Sequence, residues 1–189
     1  VVLVFDGPVK AEVDEFVTRH CLDWNIIRIP NNIGLGDALR IGLPKCKNKW
    51  VMRMDADDDC SPIRSKRLLE VLSEQNVGAS AAIGSYINEH NLDTNETALI
   101  KYPLRYQSKG KVNYFRDPIG HASAMINRDA IEEVGGYKNC LFFEDTYLWL
   151  RLLKCGYSLL TVPEILYESS VDSKFYSRRS GARYCLTEL

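Results

Sequence analysis

Several things are missing from this chain, and each absence excludes a class. No apolar run reaches the roughly 18–20 residues that a membrane span needs. No secretory leader pattern is visible. There is no basic excess: 24 Lys and Arg stand against 25 Asp and Glu, a formal net charge of −1. A nucleic-acid binder would carry a strongly basic footprint, so that class is set aside. No C-x-x-C pair occurs; Cys21, Cys46, Cys60, Cys140, Cys155 and Cys185 are scattered. Such spacing reads as reduced thiols in a cytoplasmic protein, most of them buried as small apolar side chains. Internal repeats and low-complexity segments are absent. So is an opening Met: the sequence starts inside "VVLVF", a β-branched run that reads as a buried strand. Domains seldom begin in the middle of a central strand, so a preceding segment is expected to be missing.

What remains is ordinary in bulk. The 189 residues are 46% hydrophobic and 26% charged, which fits one soluble domain with a sizeable core. Strand and helix signals alternate. "VVLVFDG", "NIIRIP", "KWVMRMD", "GASAAIGSYINEH" and "SLLTVPEILYES" read as strands. "AEVDEFVTRHC" has helical spacing, with Val13, Phe16 and Val17 on one face. "NNIGLGDALRIGLPKC" is a loop and then a helix. "SPIRSKRLLEVLSEQ" is a helix with Ser61 as cap and Pro62 at its first position. "HASAMINRDAIEEVGGY" is a strand and a helix stopped at Gly135 and Gly136, and "FEDTYLWLRLLKCGY" is a further helix with Trp149, Leu152 and Leu153 inward. This alternation predicts an α/β fold with a mostly parallel sheet flanked by helices. Ligands bind such sheets at the carboxyl ends of the strands, where Asp6 and Asp55 fall.

The densest chemistry lies in "WVMRMDADDDC", where Asp55, Asp57, Asp58 and Asp59 crowd the end of a strand. Like charges repel, so helix capping alone does not account for them. A bound divalent cation does, because hard cations take carboxylate oxygens and Mg²⁺ or Mn²⁺ is often shared with substrate phosphates. An EF-hand loop counted from Asp55 would need Gly and Glu where Cys60 and Lys66 stand, and is rejected. A phosphatase with an aspartyl nucleophile would continue differently after its D-x-D. Elsewhere two readings stay open. Gly34, Ala38 and Gly42 either admit a ligand or let a helix pack closely. Asp6 before Gly7 is either a turn former or a ligand contact. Glu144 and Asp145 suit a helix N-terminus on dipole grounds alone. His121 is either a packing or a site residue. Arg178 and Arg179 either clamp a diphosphate or are exposed tail residues.

Six segments taken in order, "VVLVFDGP", "NNIGLGDALRIGL", "RMDADDDCSPIR", "GHASAMINRDAIEEVGGY", "FEDTYLWLRLLKCGY" and "YSRRSGARY", resemble the GT-A-fold glycosyltransferases of family 2. The amylovoran-type branch, found in polysaccharide gene clusters, is the nearest in pattern. The resemblance runs almost end to end and implies a single domain over 1–189, Rossmann-like and N-terminally incomplete. It implies that an opening strand, loop and helix are absent. That strand would lie between "VVLVF" and "KWVMRMD", so a gap in the sheet is expected there.

The resemblance also implies roles. Asp6 would accept a hydrogen bond from the nucleotide base, with Asn32 and Gly34 beside the nucleotide. Asp55 and Asp57 would hold Mn²⁺ or Mg²⁺ against the diphosphate of a UDP-sugar. Asp58 would act through water or ribose, and Asp59 would be exposed. Asp145 would be the general base for an inverting transfer, with Glu144 and His121 on the substrate side. The acceptor would be a saccharide, free or lipid-linked, reached from the cytoplasm or from the inner face of a membrane. The alternative from another class is a truncated, non-catalytic sugar-nucleotide-binding or assembly domain.

Overall fold

The computed structural model describes residues 1–74, 80–107 and 117–178. In chain order the elements are β1 (Val2–Asp6), α1 (Ala11–His20), β2 (Asn25–Ile29), α2 (Leu35–Gly42), β3 (Trp50–Met52) and β4 (Asp59–Cys60). There follow α3 (Arg64–Glu74), β5 (Ser80–Asn91), β6 (Glu96–Ile100), β7 (Arg105–Gln107), β8 (Met125–Asn127) and α4 (Arg128–Glu133). The last are α5 (Glu144–Lys154), β9 (Ser158–Val171) and α6 (Ser173–Arg178).

This is the expected α/β fold. Parallel pairing carries its longest ladder, β5 with β9, and also joins β1 to β2. Shorter antiparallel ladders extend the main sheet, with β3 on β8, β8 and β6 on β5, and β4 and β7 on β9. Strand alternation divides the core in two. Ala82, Ile126 and Leu159 face one apolar cluster, built with Leu148, Trp149, Leu152 and Leu153 of α5. Their neighbours Ile83, Met125 and Leu160 face the other, built with Leu68 and Val71 of α3. Successive side chains of a strand point to opposite faces. A strand covered on both faces must be apolar throughout, which is why "SAAIG" and "SLLTV" lack polar alternation.

β1 and β2 form a separate two-stranded sheet. Among the described residues β1 pairs only with β2, and β3 only with β8, so each has an edge without a strand partner. A cavity of about 130 Å³ separates them, lined by Val2, Val4, Leu43, Val51, Ile126 and Ile131 among others. The small sheet also explains a misplaced expectation. Of the apolar face read on α1 only Val17 is buried, and Phe16 is 59% exposed. Two strands offer little area, and Phe5, Val17 and Cys21 fill it.

Other boundaries shift. α3 starts at Arg64 rather than at Pro62; the Ser61 carbonyl accepts the Arg64 N–H at 2.9 Å, so Ser61 closes a turn before the helix. α4 is capped by Asn127, whose side chain accepts from Asp129 N at 3.1 Å, and it ends where Gly135 and Gly136 adopt φ of +86° and +73°. Cys21, Cys46, Cys60, Cys140 and Cys155 are free thiols, but only Cys21 is buried, against the expectation for most of them. Cys185 and Arg179 lie outside the described residues, and Arg178 closes α6. Among the described residues no helix is long and apolar enough to cross a membrane.

Candidate active site

Three groups of polar side chains gather where β1, β3 and the start of α5 end or begin. The first is built on β1. Asp6 closes the strand, and its carboxylate accepts the Ile33 N–H at 2.7 Å and the Gly34 N–H at 2.9 Å. Asn32 Nδ2 donates to the Asp6 carbonyl at 3.1 Å. The structure therefore brings Asp6, Asn32 and Gly34 together, as one clasp joining the end of β1 to the start of α2. A carboxylate offers about four lone-pair sites, so Asp6 keeps acceptor capacity for a further donor. Gly7 has a φ of +104°, and a Cβ there would stand 3.0 Å from Asn32 N, so the clasp needs glycine at this turn.

The start of α2 then reaches toward α5. A Cβ on Gly36 would lie 2.7 Å from the Lys138 carbonyl oxygen and 3.2 Å from Glu144 Cβ. Asn139 Nδ2 adds a hydrogen bond to Asp37 at 2.8 Å. Gly36→Ala is expected to cost about 1–3 kcal/mol, because backbone rather than a flexible side-chain tip must give way. A urea titration checks this. An unchanged midpoint would mean that the loop before α5 yields freely.

The second group is the acidic turn after β3. Arg53 N donates to the Ala124 carbonyl at 3.0 Å, and the Arg53 guanidinium pairs with the Asp55 carboxylate. Burial raises the Asp55 pKa, the Arg53 charge opposes that, and Asp58 and Asp57 add to the rise. Asp58 is not free for solvent. It accepts from the Tyr167 hydroxyl at 2.7 Å and from Ser170 N at 3.1 Å, while Asp55 N donates to the same hydroxyl at 3.3 Å. Asp58 thus fastens the turn onto β9. Asp57 and Asp59 are exposed, and Asp57 makes no hydrogen bond among the described residues.

Below the turn lies Arg64, only 1% exposed. Its Nη2 donates to the Arg53 carbonyl at 2.9 Å and to the Ala122 carbonyl at 3.0 Å, and its guanidinium carbon sits 4.7 Å from the Tyr167 ring centroid. Burial lowers the Arg64 pKa. A buried cation here offsets some of the repulsion among the carboxylates above it.

The third group opens α5. Glu144 and Asp145 occupy its first turn. Asp145 Oδ1 accepts from Thr146 N at 2.8 Å, and Oδ2 lies 3.9 Å from His121 Nδ1. Thr146 Oγ1 donates to Asp117 at 2.6 Å. Burial and then the Asp117 charge raise the Asp145 pKa, against the Thr146 N–H and the Arg53 charge. Its side chain is still 21% exposed, so a substrate can reach it. His121, with a side chain 5% exposed, bonds Tyr137 at 2.9 Å and packs edge-on against Trp149. It therefore touches the candidate base from inside rather than facing open space. Glu144 is half-buried. Arg53 connects the centres electrically: it pairs with Asp55, and its charge also acts on Asp145.

Among the described residues no cluster of three or more His, Cys, Asp or Glu stands ready to hold a metal. The open Asp57 carboxylate, next to the partly engaged Asp55, still fits Mg²⁺ or Mn²⁺. Such ions are held by one or two carboxylates, with substrate phosphates and water completing the shell.

Sequence reading passed over Arg53, Arg64, Asp117, Tyr137, Thr146 and Tyr167. Arg53 and Arg64 were legible as the two cations flanking an acidic run. Tyr137 and Tyr167 had no such signal, since a lone Tyr after Gly-Gly or inside a strand reads as core.

A family model described as "Glycosyl transferase family 2" matches residues 1–135. The amylovoran biosynthesis glycosyltransferase AmsE of Erwinia amylovora is 30% identical over 192 residues, covering 100% of this chain and 71% of the relative. The UDP-Gal:alpha-D-GlcNAc-diphosphoundecaprenol beta-1,3-galactosyltransferase of Escherichia coli is 27% identical, covering 100% of this chain and 69% of the relative. In fold, the chain matches S. aureus TarS 1–349 in complex with UDP-GlcNAc at a TM-score of 0.71 and 11% identity. That match covers 99% of this chain and 54% of TarS 1–349, so the chain spans about half the length of that structure.

Proposed function

Because this chain belongs to glycosyltransferase family 2 and has the GT-A fold, we propose that it transfers a sugar from a UDP-sugar to a saccharide hydroxyl with inversion, in cell-surface polysaccharide synthesis. The observation that carries this reading is the pairing of two unlike carboxylate centres around Arg53. One is open and acidic at Asp57, and the other is a partly buried carboxylate at Asp145 with a raised pKa. A leaving diphosphate needs cationic support and an attacking hydroxyl needs a base, and the two centres suit those separate needs. The UDP-GlcNAc complex of TarS and the UDP-Gal-dependent relative support the donor class. The relative's diphosphoundecaprenol substrate supports a lipid-linked saccharide acceptor.

In this mechanism the Asp6, Asn32 and Gly34 clasp borders the nucleotide. Asp57, with Asp55, would hold the divalent cation, which when bound neutralises charge on the departing diphosphate. Asp58 and Arg64 keep the turn in shape from below. Asp145 removes the proton from the acceptor hydroxyl as that oxygen attacks the anomeric carbon from the face opposite the diphosphate. The bond from that carbon to the diphosphate oxygen breaks, and Asp145 leaves the step protonated.

Calorimetry tests the metal part. Asp57→Asn is expected to weaken Mn²⁺-dependent UDP binding at least about tenfold, or about 1.4 kcal/mol. Affinity equal to that of the unchanged protein would remove Asp57 from the metal site.

A further inference from the structure

The third group contains a contact that its proposed chemistry leaves unused. Tyr137 is buried in the loop after α4, and its hydroxyl has one hydrogen-bond partner among the described residues, His121 Nε2, at 2.9 Å. The other ring nitrogen of His121 faces Asp145 Oδ2 at 3.9 Å. Trp149 holds the imidazole edge-on, with ring centroids 5.8 Å apart. The chain of contacts Tyr137, His121, Asp145 therefore runs from the core to the partly buried carboxylate.

Hydrogen-bond bookkeeping decides the tautomer. If His121 Nε2 carried the proton, it would donate to Tyr137 and leave the buried phenol O–H with no acceptor among the described residues. It would also turn the bare Nδ1 lone pair toward a carboxylate. If Tyr137 donates instead, Nε2 accepts, the proton sits on Nδ1, and an N–H points at Asp145. Only the second arrangement gives the buried phenol O–H an acceptor and turns an N–H, rather than a bare lone pair, toward the carboxylate.

We propose that Tyr137 and His121 are a buried positioning pair, in which the Tyr137 hydroxyl fixes His121 as its Nδ1–H tautomer so that this N–H orients Asp145 Oδ2 for proton abstraction. The proposal rests on reading Asp145 as the base. At 3.9 Å the N–H and the oxygen are not yet hydrogen-bonded; Asp145 must move by about 1 Å to close the gap. Thr146 N already holds Oδ1, so engagement of Oδ2 would fix both oxygens and set the direction of the remaining lone pairs. Neutrality matters as much as direction. An imidazolium would draw Asp145 toward the acidic range and weaken it as a base, whereas a neutral N–H orients it without a full charge. Burial, aided by Arg53, holds the His121 pKa well below its ordinary value.

The charged and titratable groups acting on Asp145 come from several directions. Asp117, from the segment before His121, raises its pKa and Arg53, after β3, lowers it. Glu144 precedes it on the helix, and Cys140, in the preceding loop, feels its charge. Tyr137 → Phe leaves all of these in place, which makes it the informative variant.

The test is NMR on the unliganded protein. The ¹⁵N shifts of His121 should show a protonated Nδ1 and a bare Nε2 across the neutral range. The midpoint of the Asp145 titration, read from its ¹³C carboxyl shift against pH, should rise in Tyr137→Phe, by at most about 1 pH unit, because His121 is then free to adopt the other tautomer. An Nε2–H tautomer in the unchanged protein overturns the proposal, and needs no variant to fold. So does an Asp145 titration that Tyr137→Phe leaves unmoved while its thermal melt stays cooperative. Retained turnover in Asp145→Asn would be a different failure. It would remove the base assignment whatever the tautomer of His121.

Discussion

Asp145→Asn is expected to lower kcat by about 10²–10⁴-fold while leaving UDP affinity near that of the unchanged protein. Asn keeps the size of the side chain and can still accept the Thr146 N–H, but it cannot take a proton from a hydroxyl. In the proposed mechanism donor binding falls to the Asp6 clasp and the Asp55 and Asp57 turn, which the substitution does not touch. Initial rates with a UDP-sugar and a lipid-linked saccharide, set beside calorimetry with UDP, separate the two effects. A kcat within a few-fold of the unchanged protein would sink the base assignment. The acid limb of the pH profile carries the same information. Asp145 must be ionised to act, and burial beside Asp117 raises its pKa, so activity should fall at a pH above the ordinary carboxylate range.

The same shift has a consequence for stability. A carboxyl whose folded pKa lies above its unfolded value binds its proton more tightly in the fold. Its contribution is favourable at low pH and is lost as pH rises from the unfolded value, 3.8, through the raised folded value. At neutral pH the ionised Asp145 therefore weighs against folding. Asp145→Asn is expected to melt at or above the temperature of the unchanged protein at pH 7, the usual exchange of stability for activity at a reactive group.

Arg64→Ala should have the largest effect on stability, about 3 kcal/mol or more. Removal of the guanidinium leaves the Arg53 and Ala122 carbonyls without their donor, at about 1–3 kcal/mol each. It also opens a cavity against the Tyr167 ring. Lys should rescue little, because one ammonium does not reproduce a planar group that bonds two carbonyls and stacks on an aromatic face. The urea midpoint should drop markedly, and Mn²⁺-dependent UDP binding should weaken although Arg64 would touch neither ligand. The turn that carries Asp55 and Asp57 would have lost its floor. A midpoint within experimental scatter would show that this floor is held by Tyr167 and Ser170 alone.

Much of this was legible in the order of residues. Local periodicity and punctuation placed β1, α2, β5, α5 and β9, because apolar spacing and glycine stops act within a few residues. The acidic run at Asp55–Asp59 and the Glu144 and Asp145 pair announced themselves by charge density. The short strands β4, β6 and β7 did not, since two to five residues paired on the rim of a sheet need little patterning of their own. Nor did the idle face of α1, whose Val13 and Phe16 have a helical stripe but no strand beneath them large enough to cover it.

The sequence by itself determined which carboxylates the chain owns and which of them end strands or begin helices. Only the tertiary structure decided what each one does. Residues 109 positions apart meet when the Tyr167 hydroxyl binds Asp58, and that contact turns one of four similar aspartates into a brace and leaves Asp57 open. The fold likewise buries His121 between Tyr137, Trp149 and Asp145, and that burial holds its pKa well below the ordinary value. Charge, burial and hydrogen-bond partners are properties of a neighbourhood, and packing assembles that neighbourhood from segments that share no local pattern.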